Sequence, residues 1–573
     1  MAKDHSDQIK KKRHAELLIR QGRPEEAENI YRELIAENTN DHIVYGNLAA
    51  LYGKRGKTKE LIFLLKKSLQ INPNYQQGHY NLGMAYKHKG DYKAAITSFK
   101  KSLNINPNHL ESLYNKGAVL QKIGDTSGAI DCFIKTLKLN PNHTNANINL
   151  GNALKTKGDL DAAITSYNKA IALEPSRPDI HNNLGIALKL KGDLDTAINC
   201  YKTALRLDPE YPDANINYGN AIKIKGDPDT AIHFYKKALK NRPNHPDAHW
   251  NIALAMLLKG DYINGWMKYE WRFKHDSMDK PHAMPICKTW KGNTLKEKSR
   301  LLLVSEQGLG DTLQFMRYAI TLRHQGINVS ICAQPKLHSL IQSSEINHYP
   351  LTAHEANRVN EGHWVPLLSV PRFLNVTPLN PIFNDPYITP SKTFLDKWAR
   401  IFAHQKRPVV GINWRGNRDD YQKKDRNLPL KKFKQIIDGL DICLISLQRG
   451  VQTDERAELW ADQETPIFQS ELDRLANANK SLDFNEYAAA VANCDLVIST
   501  STTMAHLAAG IGRPTWTLLP KTPDWRWGLK GEECFWYPTM RLFRQHEYGN
   551  WDNVIQEVRD ELRNFISIKK FNL

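Results

Sequence analysis

The chain has 573 residues and a mass of 65.6 kDa; 41% of its side chains are apolar, 24% are charged, and the formal net charge is +18. This is too apolar for a disordered chain, and no run approaches the ~20 continuous apolar residues that a membrane-spanning helix needs. The opening MAKDHSDQIKKK lacks the apolar core of a signal peptide, so a cytoplasmic protein is expected.

From the start, one unit repeats. Residues 81–109 read NLGMAYKHKGDYKAAITSFKKSLNINPNH and residues 183–211 read NLGIALKLKGDLDTAINCYKTALRLDPEY. A small residue recurs every 34 positions at Ala15, Ala49, Gly83, Gly117, Gly151, Gly185, Gly219 and Ala253, and a proline keeps the same step from Pro73 to Pro243. This resembles the tetratricopeptide repeat, over about eight units in residues 1–275. In one unit, Leu82, Gly83 and Tyr86 share a side of a first helix, Gly90 ends it, Asp91 can cap a second helix, and Ala95 and Phe99 pack back. Two helices cannot bury their own apolar sides, so neighbouring units are expected to stack into a superhelix. The last unit carries Trp266, Tyr269 and Trp271 where smaller groups are expected, which suggests a joint with the next part of the chain.

Asn47, Asn81, Asn115, Asn149, Asn183, Asn217 and Asn251 also keep the 34-residue step. Asn is a poor helix former, so its recurrence inside helices needs a reason. It is either a solvated relic of duplication or a row of amides offering donors and acceptors to an extended peptide. The second reading is supported by resemblance to the repeats of eukaryotic O-linked N-acetylglucosamine transferase, which carry such a row for the acceptor polypeptide. On that resemblance Asn81, Asn115, Asn149, Asn183, Asn217 and Asn251 are acceptor-binding candidates.

After a connector, 276–298, the grammar changes. Apolar strands are expected at 301–305 and 327–334, with a Gly-rich turn and a helix between them. A second start, RPVVGINWRG at 407–416, leads to a helix at 430–438 and strands at 441–447, 496–499 and 515–519, with a helix at 504–509 before the last; a final helix is expected at about 551–566. This predicts two tandem Rossmann-like α/β domains, 299–400 and 401–573, with a cleft between them. Gly308-Leu309-Gly310 does not complete a dinucleotide fingerprint, because the third glycine falls at Leu313. There is no P-loop. The seven cysteines have no paired spacing, which excludes a cysteine zinc knuckle and a disulfide framework. No second-half Asp-x-Asp pair suggests a metal–diphosphate site, which leaves a diphosphate to backbone N–H groups and cations.

EQGLGDTLQF (306–315), INWRGN (412–417), SLQRG (446–450), STTMAHLAAGIGRP (501–514), DWRWG (524–528) and WYPTMRLFRQ (536–545) resemble bacterial tetratricopeptide proteins with a glycosyltransferase domain. The last domain is also similar to ADP-heptose–lipopolysaccharide heptosyltransferases. The resemblance implies a glycosyltransferase B fold, a nucleotide-sugar co-substrate held by the C-terminal domain, no metal or other cofactor, and inversion at the anomeric carbon. It implies a protein acceptor modified at Ser or Thr, with flagellin one candidate.

Several residues are candidates for the site. Asp311 is the proposed base, with helix capping as its structural alternative, and Glu306 is second choice. Arg415 can fork onto two phosphate oxygens. Lys424 lies on the loop after it, and Gln448 is placed for base or ribose. Ser501, Thr502 and Thr503 precede a helix and can cradle phosphate or simply cap it. His506 lies one turn in. Where the broader family has Val-Asp-Thr before this cradle, the chain has Ser499-Thr500-Ser501-Thr502. Trp525 and Trp527 can stack on a sugar or base, or pack a joint. A transferase acting on lipid-linked or surface glycan, and a scaffold with a decayed transferase half, are the alternatives. Residues 1–275 carry +13 of the net charge, spread thinly and without a nucleic-acid motif. The partners expected are therefore anionic small molecules or an acidic protein, not nucleic acid.

Overall fold

The computed structural model describes residues 2–275, 280–382, 385–416, 427–448, 455, 457, 467–468 and 483–571. Two compact units are present, Met1–Asn217 and Tyr218–Leu573.

The first unit is all-α, built of antiparallel helix pairs. Most of its helices are 13 or 14 residues long. Glycine ends a first helix where the chain must turn through positive φ, as at Gly90 (φ 81°) and Gly192 (φ 102°). The aspartate after it caps the second helix as expected. Asp91, Asp125, Asp159 and Asp193 each accept from the N–H three residues on. The small residue of the first helix is a packing requirement. A Cβ at Gly185 would stand 2.6 Å from Tyr201 Cε1, and at Gly83 2.6 Å from Phe99 Cε1. Both rings are wholly buried. First helices of neighbouring repeats, such as Leu110–Lys122 and Thr144–Lys157, contact one another directly. That keeps them on the inner side of the stack.

The second unit holds further helix pairs, Pro228–Asn241 with Pro246–Leu258 and Pro246–Leu258 with Tyr262–Tyr269, and an α/β region with two parallel sheets. The first sheet contains β1 (Lys288–Thr289), β2 (Arg300–Val304), β3 (Asn328–Cys332) and β4 (His363–Pro366), in the order β1-β4-β2-β3. The second contains β5 (Val409–Asn413), β6 (Cys443–Ser446), β7 (Ile467–Phe468), β8 (Leu496–Thr500), β9 (Thr515–Leu519) and β10 (Met540–Arg544), in the order β10-β9-β8-β5-β6-β7. Every residue of β5, β8 and β9 is buried, the mark of a parallel sheet covered on both faces. One face carries Val410, Ile412, Leu444 and Leu496 against Phe433, Val554, Val558 and Leu562. The other joins the core that includes Tyr487, Ala488 and Leu507.

The aromatic residues of the last repeat do form a joint. Trp266 Nε1 donates to the Val376 carbonyl at 2.9 Å. Trp525 packs edge-on to Trp266 at 5.3 Å and to Tyr269 at 5.9 Å. Arg272, in a 3-10 turn at Glu270–Lys274, lies wholly buried and forks onto Glu306 at 2.8 and 2.9 Å. Trp271 instead stacks on His249 within the repeat pairs, at 3.8 Å.

Candidate functional site

The second sheet, renumbered by its own order of appearance, has strands in the order 6-5-4-1-2-3. This is the doubly wound arrangement, and its order reverses between β5 and β8. Ligands of open parallel sheets bind outside the carboxyl ends of the strands at such a reversal. The residues at those ends are Asn413, the last of β5, with Trp414 and Arg415 after it, Gln448 after β6, and Ser501–Thr503 after β8.

Asn413 ties them together. Its Oδ1 accepts from Thr502 Oγ1 at 2.7 Å and from Ser499 Oγ at 3.3 Å, while its Nδ2 donates to Gln448 Oε1 at 3.2 Å. Gln448 Oε1 also accepts the Arg415 N–H at 3.0 Å. Gln448 is therefore buried beneath the site and holds the Arg415 turn. The Arg415 guanidinium forks onto the Glu455 carboxylate at 3.0 and 2.8 Å. The Arg415 fork is thus already filled by a carboxylate. Lys424 lies outside the described residues.

Thr502 caps the helix Thr503–Ile511 through a bond from Met504 N–H at 3.3 Å. Ser501 Oγ accepts from Trp527 Nε1 at 2.8 Å. The capping alternative is realised for Thr502, and the first-turn N–H groups of a nine-residue helix open on the same strand ends. His506 is buried, bonds Tyr537 OH through Nδ1 at 3.0 Å and lies parallel to Trp527 at 5.2 Å. Burial first, then the Arg526 and Arg317 charges, push its pKa down to about 3. It is a neutral, packed ring.

Asp311 approaches from the other sheet. It sits at the start of the helix Leu309–Phe315, and its Oδ2 accepts the Gly308 N–H at 3.0 Å. Gly310 lets this helix close on the other, since a Cβ there would stand 3.2 Å from His506 Cδ2 and 3.4 Å from Thr503 Oγ1. Asp311 Oδ1 accepts from the Arg526 guanidinium, which also bonds Asp524 at 2.8 Å and Gln314 at 2.7 Å. Burial opposes the charge of Arg526, and Asp524 and Asp311 outweigh it, so its pKa is raised. Both Asp311 oxygens are thus engaged, one in capping its helix and one in an ion pair. Glu306 is differently placed. It is wholly buried, with its carboxylate filled by Arg272 and the Leu368 N–H at 3.1 Å.

Three of these positions carry roles that sequence reasoning did not assign: Asn413, Arg526 and Tyr537. The available signal was a polar residue closing the apolar strand VVGIN, and an arginine set between two tryptophans. Both tryptophans are buried: Trp525 packs the joint, whereas Trp527 lies on His506 and donates to Ser501. A cavity of about 1070 Å³ nearby is lined by Asp227, Lys259, Tyr262, Arg526, Trp527 and Phe535. Among the described residues, no group of three or more His, Cys, Asp or Glu is arranged to hold a metal ion, and no helix is long and apolar enough to cross a membrane.

In the first unit, the asparagines are half-buried, Asn115 more so. Asn47 donates to Tyr31 OH, Asn149 to Tyr114 OH at 3.1 Å, and Asn217 to Asn182 at 2.9 Å. Asn115 accepts from Lys87 at 2.8 Å, and Asn81 from Gln77 at 3.0 Å. The Asn183 side chain makes no hydrogen bond among the described residues. Asn251, in the second unit, accepts from Lys223 at 3.5 Å. Asn47, Asn115, Asn149 and Asn217 are thus each tied to another residue of the repeats.

Sequence profiles described as tetratricopeptide repeat match residues 77–109, 110–143 and 225–262, and one described as TPR repeat matches 151–192 and 187–226. Protein FlbA of Caulobacter vibrioides is 25% identical over 321 residues, which span 52% of this chain and 52% of that protein. The match therefore covers about half the length of that curated relative. Among solved structures, YrrB, titled a TPR protein with an unusual peptide-binding site, is 26% identical over 32% of this chain and 95% of its own, with a TM-score of 0.31. MamA from Desulfovibrio magneticus is 29% identical over 30% of this chain and 98% of its own, with a TM-score of 0.29. Together the profiles and the geometry make the N-terminal and middle part of this chain a tetratricopeptide-repeat region, succeeded by a distinct α/β region with two parallel sheets.

Proposed function

We propose that the chain is an inverting glycosyltransferase of the B fold that moves a sugar from a nucleotide diphosphate to a Ser or Thr hydroxyl of a polypeptide held by the repeats. The observation that carries this reading is the convergence of Arg415, Gln448 and Ser501–Thr503 at the reversal point of the six-stranded parallel sheet, tied through Asn413. The acceptor oxygen attacks the anomeric carbon as the bond from that carbon to the phosphate oxygen breaks. The electron pair leaves on the diphosphate, and the hydroxyl proton passes to Asp311. Arg415, released from Glu455, and the first-turn N–H groups of Thr503–Ile511 take up the charge that develops on the leaving group. Gln448 and Asn413 hold those groups in place. In this reading Arg526 orients Asp311, and Glu306 braces the turn before it.

The test is calorimetric titration of the chain with UDP, GDP, ADP, CMP and dTDP, without and then with Mg²⁺. Binding of one nucleotide, weakened about 10–100-fold by Arg415→Ala, is expected for a charge-assisted fork. Failure of all five to bind the folded chain under either condition overturns the reading. With the nucleotide known, sugar transfer to a co-expressed protein is sought, flagellin first.

A further inference from the structure

Six residues after the asparagine of a first helix, the repeats place Lys87, Gln121, Lys155 and Lys189, and they keep the 34-residue step. Lys87 shows where this side chain goes. Its ammonium crosses to the next repeat and bonds Asn115 Oδ1 at 2.8 Å. The same 28-residue register sets Lys155 opposite Asn183 and Lys189 opposite Asn217. All three lysines are half-buried.

Among the described residues, neither the Lys155 nor the Lys189 ammonium has a carboxylate or a hydrogen-bond partner. Burial alone lowers their pKa and that of Lys87, with no carboxylate opposing it. Lysine on another side of the same helix behaves differently: Lys191, exposed, pairs with Asp161 at 2.6 Å. The acids that begin these first helices already have partners. Glu111 lies 3.3 Å from His109 Nε2, and Asp179 pairs with Arg177 at 2.6 Å. A half-buried ammonium without a counter-ion costs stability. A row of them beside amides is a surface built for anions.

We propose that the inner face of the first unit takes an extended polypeptide rich in Asp and Glu, its carboxylates on Lys87, Lys155 and Lys189 and its backbone on the neighbouring asparagines. Packed helices lie ~8–10 Å apart, and an extended chain advances ~3.3–3.6 Å per residue. Acidic side chains about three residues apart therefore match successive repeats. This deepens the acceptor reading above and rests on it only for polypeptide occupancy of the face. It requires no sugar transfer.

The probe is a fluorescein-labelled 15-residue peptide with Glu at every third position in a Ser/Gly background, and its twin with Gln at those positions. Anisotropy is read with the full chain and no nucleotide, at 50 and 300 mM NaCl. The Glu peptide is expected to bind at least tenfold tighter than the Gln peptide, and to weaken with salt. Lys155→Gln and Lys189→Gln should each cost about three- to tenfold and Lys191→Gln nothing, with helical circular dichroism unchanged. Equal binding of the two peptides overturns the acidic specificity and leaves the peptide groove standing. Binding of neither overturns both, while nucleotide titration still reports separately on the transferase site. Binding of the Glu peptide that Lys155→Gln and Lys189→Gln leave unaltered also overturns the proposal.

Discussion

Replacing Arg272 by Met should destabilise the second unit severely, because of what it leaves behind. Glu306 has no exposed surface, and two of its three hydrogen bonds come from Arg272 at 2.8 and 2.9 Å. Arg272 is equally buried and also bonds Glu270, Ser369 and the Tyr269 carbonyl. Burial works against its charge; the Glu306 and Glu270 carboxylates outweigh that, and its pKa is raised. Breaking such a pair costs about 3–5 kcal/mol, because one charge stays buried without its partner. Removing both charges is far cheaper, so the double variant Arg272→Met/Glu306→Met should recover most of the loss. The exposed pair Arg300–Glu361 at 3.0 Å is the control, and Glu361→Ala should change nothing measurable. The assay is urea denaturation monitored by tryptophan fluorescence and circular dichroism for five chains: wild type, Arg272→Met, Glu306→Met, the double variant and Glu361→Ala. A loss below about 1 kcal/mol in Arg272→Met, or a double variant as unstable as the sum of the singles, refutes the reasoning. Nucleotide binding retained in the double variant separates a bracing role for Glu306 from loss of the fold.

Other outcomes are equally definite. Gly185→Ala should lower stability by about 1–3 kcal/mol despite the better helix propensity of alanine, read by urea titration, because its Cβ would meet Tyr201 at 2.6 Å. Lys189→Met should raise the melting temperature at neutral pH by removing an unpaired, half-buried ammonium. Since folding lowers that pKa, the unfolded chain binds more protons between the lowered and the ordinary lysine values. Wild-type stability therefore rises with pH there, and the advantage of Lys189→Met should shrink. His506, held near pKa 3, binds fewer protons folded than unfolded below the ordinary histidine range. Its contribution is full above that range and is lost as pH falls towards 3. His506→Asn should flatten this acid limb in melts from pH 4 to 7, and a nucleotide-binding pH profile should show no inflection from His506 near neutrality.

The repeats were legible because one 34-residue unit recurs, so glycines, capping aspartates and packing aromatics each appear several times in register. The long apolar strands β2, β5, β8 and β9 were legible by composition. Strands β1 and β7, two residues each, and β4 and β10, which alternate with bulky polar groups or come after loops, carry too little pattern. The site was legible in part. Hydroxyls before a helix and an arginine after a strand mark positions on a fold. The link from Asp311 to Arg526 spans 215 residues, and the filling of Glu306 by Arg272 depends on a turn at the end of the repeats. No local signal encodes either. Asn413 reads as an ordinary strand end until the sheet order sets it beside Thr502 and Gln448.

The Arg272–Glu306 pair also sets rules for how such a chain can be cut and how it can grow. A fragment beginning at the connector would strand a buried carboxylate, so the α/β region should be produced with residues 218–275 attached. Whole 34-residue units can be gained or lost upstream, where each repeat meets only neighbours like itself. The final unit is bound to one particular glutamate beyond it and is not interchangeable. Variation in repeat number across such chains should therefore accumulate towards the N-terminal end, with the Trp266–Arg272 segment kept as a fixed coupling.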